Sequence, residues 1–167
     1  AMVAVDNILD GTWFAIIAGN HKAYLPYPAV RTGTGMVQAN EITRRQAKDA
    51  ISQFRSDGGT AIGAWLNLAK ALFNSVPGLG QRHAILLTDG ENHNETPQQL
   101  DAAIRNCVGQ FQVDARGVGV DWKVEEIRRI AQALLGTVDI IPSAYDMPAV
   151  FQELMQKAMA RGVADAQ

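Results

Sequence analysis

Residues 85–94, "ILLTDGENHN", pass from an apolar run into a string of acids, amides and a histidine. Extended to its left, the run becomes residues 82–88, short and apolar enough to be a strand covered on both faces. Asp89 therefore stands where a buried strand gives way to a polar loop, and Gly90 lets the backbone turn away without a Cβ clash. In open α/β sheets, ligands collect outside the carboxyl ends of the strands. A carboxylate there is held by a rigid element and faces a crevice. Taken alone, Asp89 reads equally well as the closer of an Asx-turn and as a ligand.

The order around this strand is regular. After 82–88 come a helix from Thr96 to about Val108, a strand at 111–120, a helix at 123–135, a strand at 137–141 and a last helix from about Asp146 to Ala160. Such alternation predicts a parallel sheet with helices on both faces, and the strand cores "AILL", "VDARGVGV" and "VDII" suit it. Upstream, "AIGAWLNLAKALF" follows the breaker "RSDGGT", and another helix runs from about Ile42 to Phe54 after the polar loop "RTGTGMVQAN". "TWFAIIAG" and "KAYLPYP" read as a hairpin turning at Gly19-Asn20, with Pro26 and Pro28 confining the second strand to a sheet edge. At the start, Met2, Val5, Ile8 and Leu9 have helical spacing with no capping residue ahead of them, so the helix is expected to begin before the chain does. The expectation is one domain over residues 1–161, an α/β fold of three layers with a doubly wound, mostly parallel sheet and an antiparallel edge hairpin. Residues 162–167 form a short tail.

Composition narrows the function classes. The chain has 167 residues, 47% hydrophobic and 19% charged, with a formal charge of -2. With a pI near 5.9 it has no basic field for nucleic acid, and no apolar run approaches the roughly 20 residues of a membrane span. Cys107, the single cysteine, shares a helical stripe with Leu100, Ala103, Ile104 and Val108 and is read as core. One unpaired cysteine and no visible signal segment lean towards a bacterial cytoplasm.

Thr60 supplies the second clue. It follows "DGG", opens a helix, and offers a hydroxyl at a helix N-terminus, where an ordinary N-cap also sits. Taken together, "GGTAIGAWL", "RHAILLTDGEN" and the α/β order around them resemble the von Willebrand factor type A domain family, over nearly the whole chain. The resemblance implies a metal-ion-dependent adhesion site built from three loops: a D-x-S-x-S after the first strand, a threonine before a helix, and an aspartate after the fourth strand. Thr60 and Asp89 match the second and third. Hydroxyl, carboxylate and water oxygens are hard ligands that suit Mg²⁺ or Mn²⁺. The resemblance further implies a partner protein that offers an Asp or Glu carboxylate to the ion, and a last helix, 146–160, that shifts on binding.

The first loop is not in these residues. No aspartate, among them Asp6, Asp49, Asp57 and Asp121, begins a D-x-S-x-S. The family's first strand and its loop would precede residue 1, so the domain is expected to be N-terminally incomplete. In a strand order resembling 3-2-1-4-5-6 the lost strand lies centrally, between the hairpin and 82–88. The gap implies a longer natural protein, upstream sequence outside the 167 residues, or a strand from another chain. Unpaired backbone groups cost roughly 1–3 kcal/mol each when buried, so the isolated chain is expected to self-associate through the opening.

Other motifs carry less. Asp89, Glu91, His93 and Glu95 alternate along "DGENHNE" and are read as solvated loop residues with the acidic bias of a helix N-terminus, not as a second metal site. His21 and His83 read as structural or surface residues, and no Cys or His pair has zinc spacing. "TGTGMVQ" lacks the third glycine of a dinucleotide loop, since Gln38 stands there, and no Walker motif occurs. "NET" at 94–96 is formally a glycosylation sequon. Trp13 and Trp65 read as core, while Trp122 beside Asp121 lies on the same sheet edge as Asp89. Without an activated nucleophile the chain is read as a binding module and not an enzyme. The rivals are a metal-independent scaffold with a degenerate site and a Mg²⁺-dependent hydrolytic or phosphoryl-transfer domain using Asp89.

Overall fold

The structure is a computed structural model. It describes residues 2–19, 23–28, 35–53, 61–79, 82–88, 95–118, 124–136, 138–141, 148–150 and 152–157. Its elements follow the order α1 (Met2–Asp6), β1 (Trp13–Phe14), β2 (Ile16–Gly19), β3 (Ala23–Tyr27), β4 (Val37–Gln38), α2 (Glu41–Ser52), α3 (Ile62–Asn74), β5 (His83–Thr88), α4 (Pro97–Cys107), β6 (Gln112–Val118), α5 (Val124–Ala133) and β7 (Val138–Ile141). Residues 148–150 and 152–157 are helical as well, within the last helix expected from the sequence.

Strands β5, β6 and β7 form a parallel sheet in that order, with His83 opposite Gln112, Thr88 opposite Gly117 and Val118 opposite Ile141. The α/β alternation expected from the sequence is thus present. Strands β2 and β3 pair antiparallel as the hairpin. Among the described residues β3, which carries Pro26, pairs with β2 alone, as a proline-bearing edge strand should. Hairpin and parallel sheet are separate sheets among the described residues.

Two expectations are corrected. "TWFAIIAG" is not one strand: Trp13–Phe14 pairs with Val37–Gln38, and the chain passes to β3 only from Ile16 onward, with a register irregularity between Ile16 and Ala18. Part of the "loop" 31–40 is therefore a strand. The first helix also ends at Asp6, earlier than the apolar spacing through Leu9 suggested. Gly11, at a φ of 85°, donates its N–H to Ala39 O at 2.9 Å, and this directs the chain into β1.

Alternation through residues 13–17 builds the layers. Trp13, Ala15 and Ile17 pack on the larger core, which includes Ile62, Leu66, Leu72 and Phe73 of α3, while Phe14 and Ile16 pack on a smaller one with Val5, Tyr27 and Ala47. A stretch buried on both faces needs apolar side chains at successive positions, which explains the unbroken run "WFAII". In α4, Leu100, Ala103, Ile104 and Cys107 are buried, and in α5 Ile127, Ile130, Ala131 and Leu134, both at the spacing of one helical face. Cys107 belongs to that core as expected. Its thiol lies 3.5 Å from Leu66 O, and burial pushes its pKa up, with Lys70 opposing weakly, so it is held as a neutral thiol. Trp13 and Trp65 are half-buried against the same core.

Helix α5 ends in a turn of the Schellman type. Gly136 N–H donates to Ala131 O at 2.8 Å and Leu135 N–H to Gln132 O at 3.4 Å, while Leu135 adopts a φ of 56°. Glycine is usual at that left-handed position, yet here it stands one residue later. The reason is contact: a Cβ on Gly136 would lie 1.5 Å from Val113 O, inside the backbone of β6.

Candidate functional site

Strand β5 delivers the chain to Asp89 and α3 takes it up just after Thr60. Both candidate ligands lie outside the described residues, as do Asp57, Glu91, His93, Asp121, Trp122 and His21. The structure describes what flanks them: Thr88, buried at the carboxyl end of β5; Ala61 and the first turn of α3; and Glu95 and Thr96, which close the loop after β5.

The capping position of α3 falls on Ala61, not Thr60, and alanine has no side-chain oxygen to offer. The orphan N–H groups of a helix's first turn need an acceptor. Glu95 supplies it. Its Oε2 accepts from Gly63 N–H at 2.8 Å and its Oε1 from Ala64 N–H at 2.8 Å. These are the second and third helical positions, the two that an N-cap side chain ordinarily serves. Anionic charge at a helix N-terminus is further favoured by the helix dipole. The reading of Glu95 as a solvated loop residue is therefore corrected: the side chain joins the loop after β5 to the start of α3.

The join depends on a missing Cβ. A Cβ on Gly63 would lie 2.8 and 2.9 Å from the two Glu95 carboxylate oxygens and 3.1 Å from Ala103 Cβ of α4. Glycine early in a helix costs propensity, but here it lets both a carboxylate and a neighbouring helix approach. Helix α4 caps itself: Thr96 accepts from Gln99 N–H at 3.1 Å and Gln99 Oε1 accepts from Thr96 N–H at 2.8 Å. Glu95 and Thr96 thus fix two helix starts from adjacent positions.

The other polar pair inside the sheet is remote. His83 Nε2 lies 2.5 Å from Asp114 Oδ2, with Asp114 fully buried. His83 begins β5 and Thr88 ends it, so about 17 Å of strand separate His83 from the carboxyl end of β5 at roughly 3.3 Å per residue. His83, expected as a structural or surface residue, is part-buried against Asp114. Among the described residues no cluster of three or more His, Cys, Asp or Glu could hold a metal ion, and no helix is long and apolar enough to cross a membrane.

A parallel sheet, helices packed against it and a candidate ligand at a strand's carboxyl end define a Rossmann-like α/β domain with its site in the loops of one sheet edge. Comparison with known proteins makes this specific. The model of the von Willebrand factor type A domain matches residues 25–140, and the chain belongs to that family. It is similar to a von Willebrand factor type A protein from Catenulispora acidiphila, with 42% identity and a TM-score of 0.89 over 95% of this chain. It spans 36% of that protein's length. It shares its fold with the conserved hypothetical protein BatB from Bacteroides thetaiotaomicron, at 23% identity and a TM-score of 0.66, covering 95% of this chain and 84% of that one. It shares it also with proximal thread matrix protein 1 of the mussel byssus, seen with a zinc-occupied MIDAS motif, at 22% identity and a TM-score of 0.68, covering 94% and 38%. No curated protein matches the chain.

The residues present suit a hard divalent cation. Thr60 and Asp89 offer a hydroxyl and a carboxylate, both oxygen donors, and no soft ligand stands beside them in sequence. The cradle around Gly63 joins the first turn of α3 to Glu95.

Proposed function

We propose that this chain is the protein-binding module of a von Willebrand factor type A protein, using a Mg²⁺- or Mn²⁺-dependent adhesion site. Thr60 and Asp89 would each hold the ion through an oxygen, and a D-x-S-x-S loop that these 167 residues do not include would complete its shell. A divalent cation so held supplies an electrophilic position that an Asp or Glu carboxylate of the partner protein fills. The observation that supports this reading is the pair of hydrogen bonds that join α3's first turn, three and four residues after Thr60, to Glu95, six residues after Asp89. The zinc-occupied site of the byssus protein supports it at the level of the fold.

The reading contains no catalytic step, and it places the protein in a bacterial cytoplasm, in keeping with one cysteine held as a buried thiol. A second reading, a scaffold that binds protein without metal, is favoured by one observation: D-x-S-x-S is absent from the sequence. A Mn²⁺ titration of the protein expressed from its complete reading frame separates the two. Loss of binding on Asp89→Ala, and about tenfold weakening on Thr60→Ala, are expected. Mn²⁺ affinity that ignores both substitutions refutes the metal site.

A further inference from the structure

We infer that Glu95 is the positioning residue of the adhesion site, holding the threonine loop and the aspartate loop at a fixed separation. This rests on the metal reading above. The geometry is specific to this role in three respects. The carboxylate is divided between two successive amides, Gly63 N–H and Ala64 N–H, each at 2.8 Å, so that both its position and its rotation are set. The capping position, Ala61, makes no side-chain cap, so the acceptor for Gly63 and Ala64 comes from Glu95. And Gly63 leaves the volume that the carboxylate uses: a Cβ there would lie within 2.9 Å of Oε2 and 2.8 Å of Oε1.

The consequence follows from spacing along the chain. Thr60 lies three residues before Gly63, and Asp89 six residues before Glu95. Strand β5 fixes the approach to Asp89 from one side through its pairing with β6. Glu95 fixes the far end of the same loop on α3, and with it the start of the helix that Thr60 precedes. A shell of oxygen ligands needs placement to about half an ångström, which loops alone do not provide. Neutral glutamine offers one acceptor oxygen where two are used, so Glu95→Gln tests the division of the carboxylate as well as its charge.

The experiment has two arms on the protein expressed from its complete reading frame. In the metal-free protein, amide exchange at Gly63 and Ala64 is expected to accelerate at least tenfold in Glu95→Ala, with Gln99 N–H unchanged. Unchanged exchange at Gly63 and Ala64 overturns the latch whatever the metal does. In the second arm, Mn²⁺ binding is followed by the electron paramagnetic resonance of the free ion. Glu95→Ala is expected to weaken it at least tenfold and Glu95→Gln by an intermediate factor. Thr96→Ala, which loosens the neighbouring helix without touching the latch, is expected to stay within twofold. That control separates positioning from general loss of stability. Wild-type affinity in Glu95→Ala, with binding lost in Asp89→Ala, overturns the positioning role and leaves the metal reading standing. Absence of Mn²⁺ binding in the unaltered protein, or binding that ignores Asp89→Ala, overturns both.

Discussion

Helices α3 and α4 lie against each other and begin in opposite ways. Helix α4 opens with a reciprocal capping box, in which Thr96 and Gln99 serve each other across three residues. Helix α2 does the same with Asn40 and Thr43. Helix α3 has alanine at the corresponding place and takes its acceptor from Glu95, 32 residues beyond Gly63. A local cap stabilises one helix whatever surrounds it. A distant cap makes the helix start depend on the position of another loop, and so converts a routine need of the backbone into a tie between two segments. The helix with the distant cap is the one that Thr60 precedes.

The comparison can be broken by substitution. The largest effect is expected from Glu95→Ala, which strips two amides of a charged acceptor and should lower the unfolding free energy by about 2–3 kcal/mol. Urea denaturation measures it. If Thr96→Ala costs more than Glu95→Ala, the contrast between the two helix starts fails.

Gly63→Ala comes next. At an unencumbered interior helix site this change gains up to about 1 kcal/mol. Here the added methyl meets Glu95 and Ala103, so a loss of about 1–2 kcal/mol is expected instead. Combined with Glu95→Ala, the loss attributable to Gly63→Ala should shrink, and additivity of the two in a double-mutant cycle would deny their contact. The smallest of the three is Thr96→Ala, about 1 kcal/mol by loss of an ordinary cap, measured in the same denaturation series.

The contrast also explains what was legible. The capping boxes of α2 and α4 stand in the sequence as short patterns at fixed spacing, and helix faces such as Ile127, Ile130, Ala131 and Leu134 follow a period. Strand β6 was legible as a strand covered on both faces, since Val113, Asp114, Ala115 and Arg116 are buried at successive positions. Strand β4 did not show, since two residues, Val37 and Gln38, are too few to display alternation and sit among glycines and polar residues. The division of "TWFAIIAG" between two partners is likewise a property of those partners and not of the run itself. Thr60 and Asp89 are proposed from the family's pattern, whereas Glu95 looked like any acid before a helix. The available signal was an indirect one: an early helical glycine at 63 with alanines at 61 and 64, three positions with no side-chain acceptor.

The turn that ends α5 leaves the molecule an unused reserve. Leucine at 135 sits in a left-handed conformation with 74% of its surface in water, so it incurs backbone strain and exposes an oily side chain without packing in return. Leu135→Gly is expected to raise the melting temperature by a few degrees, through relief of about 1 kcal/mol, and to make the protein more soluble. For anyone wishing to study loosening substitutions at Glu95 or Gly63 without losing the fold, that single exchange is the natural background in which to place them.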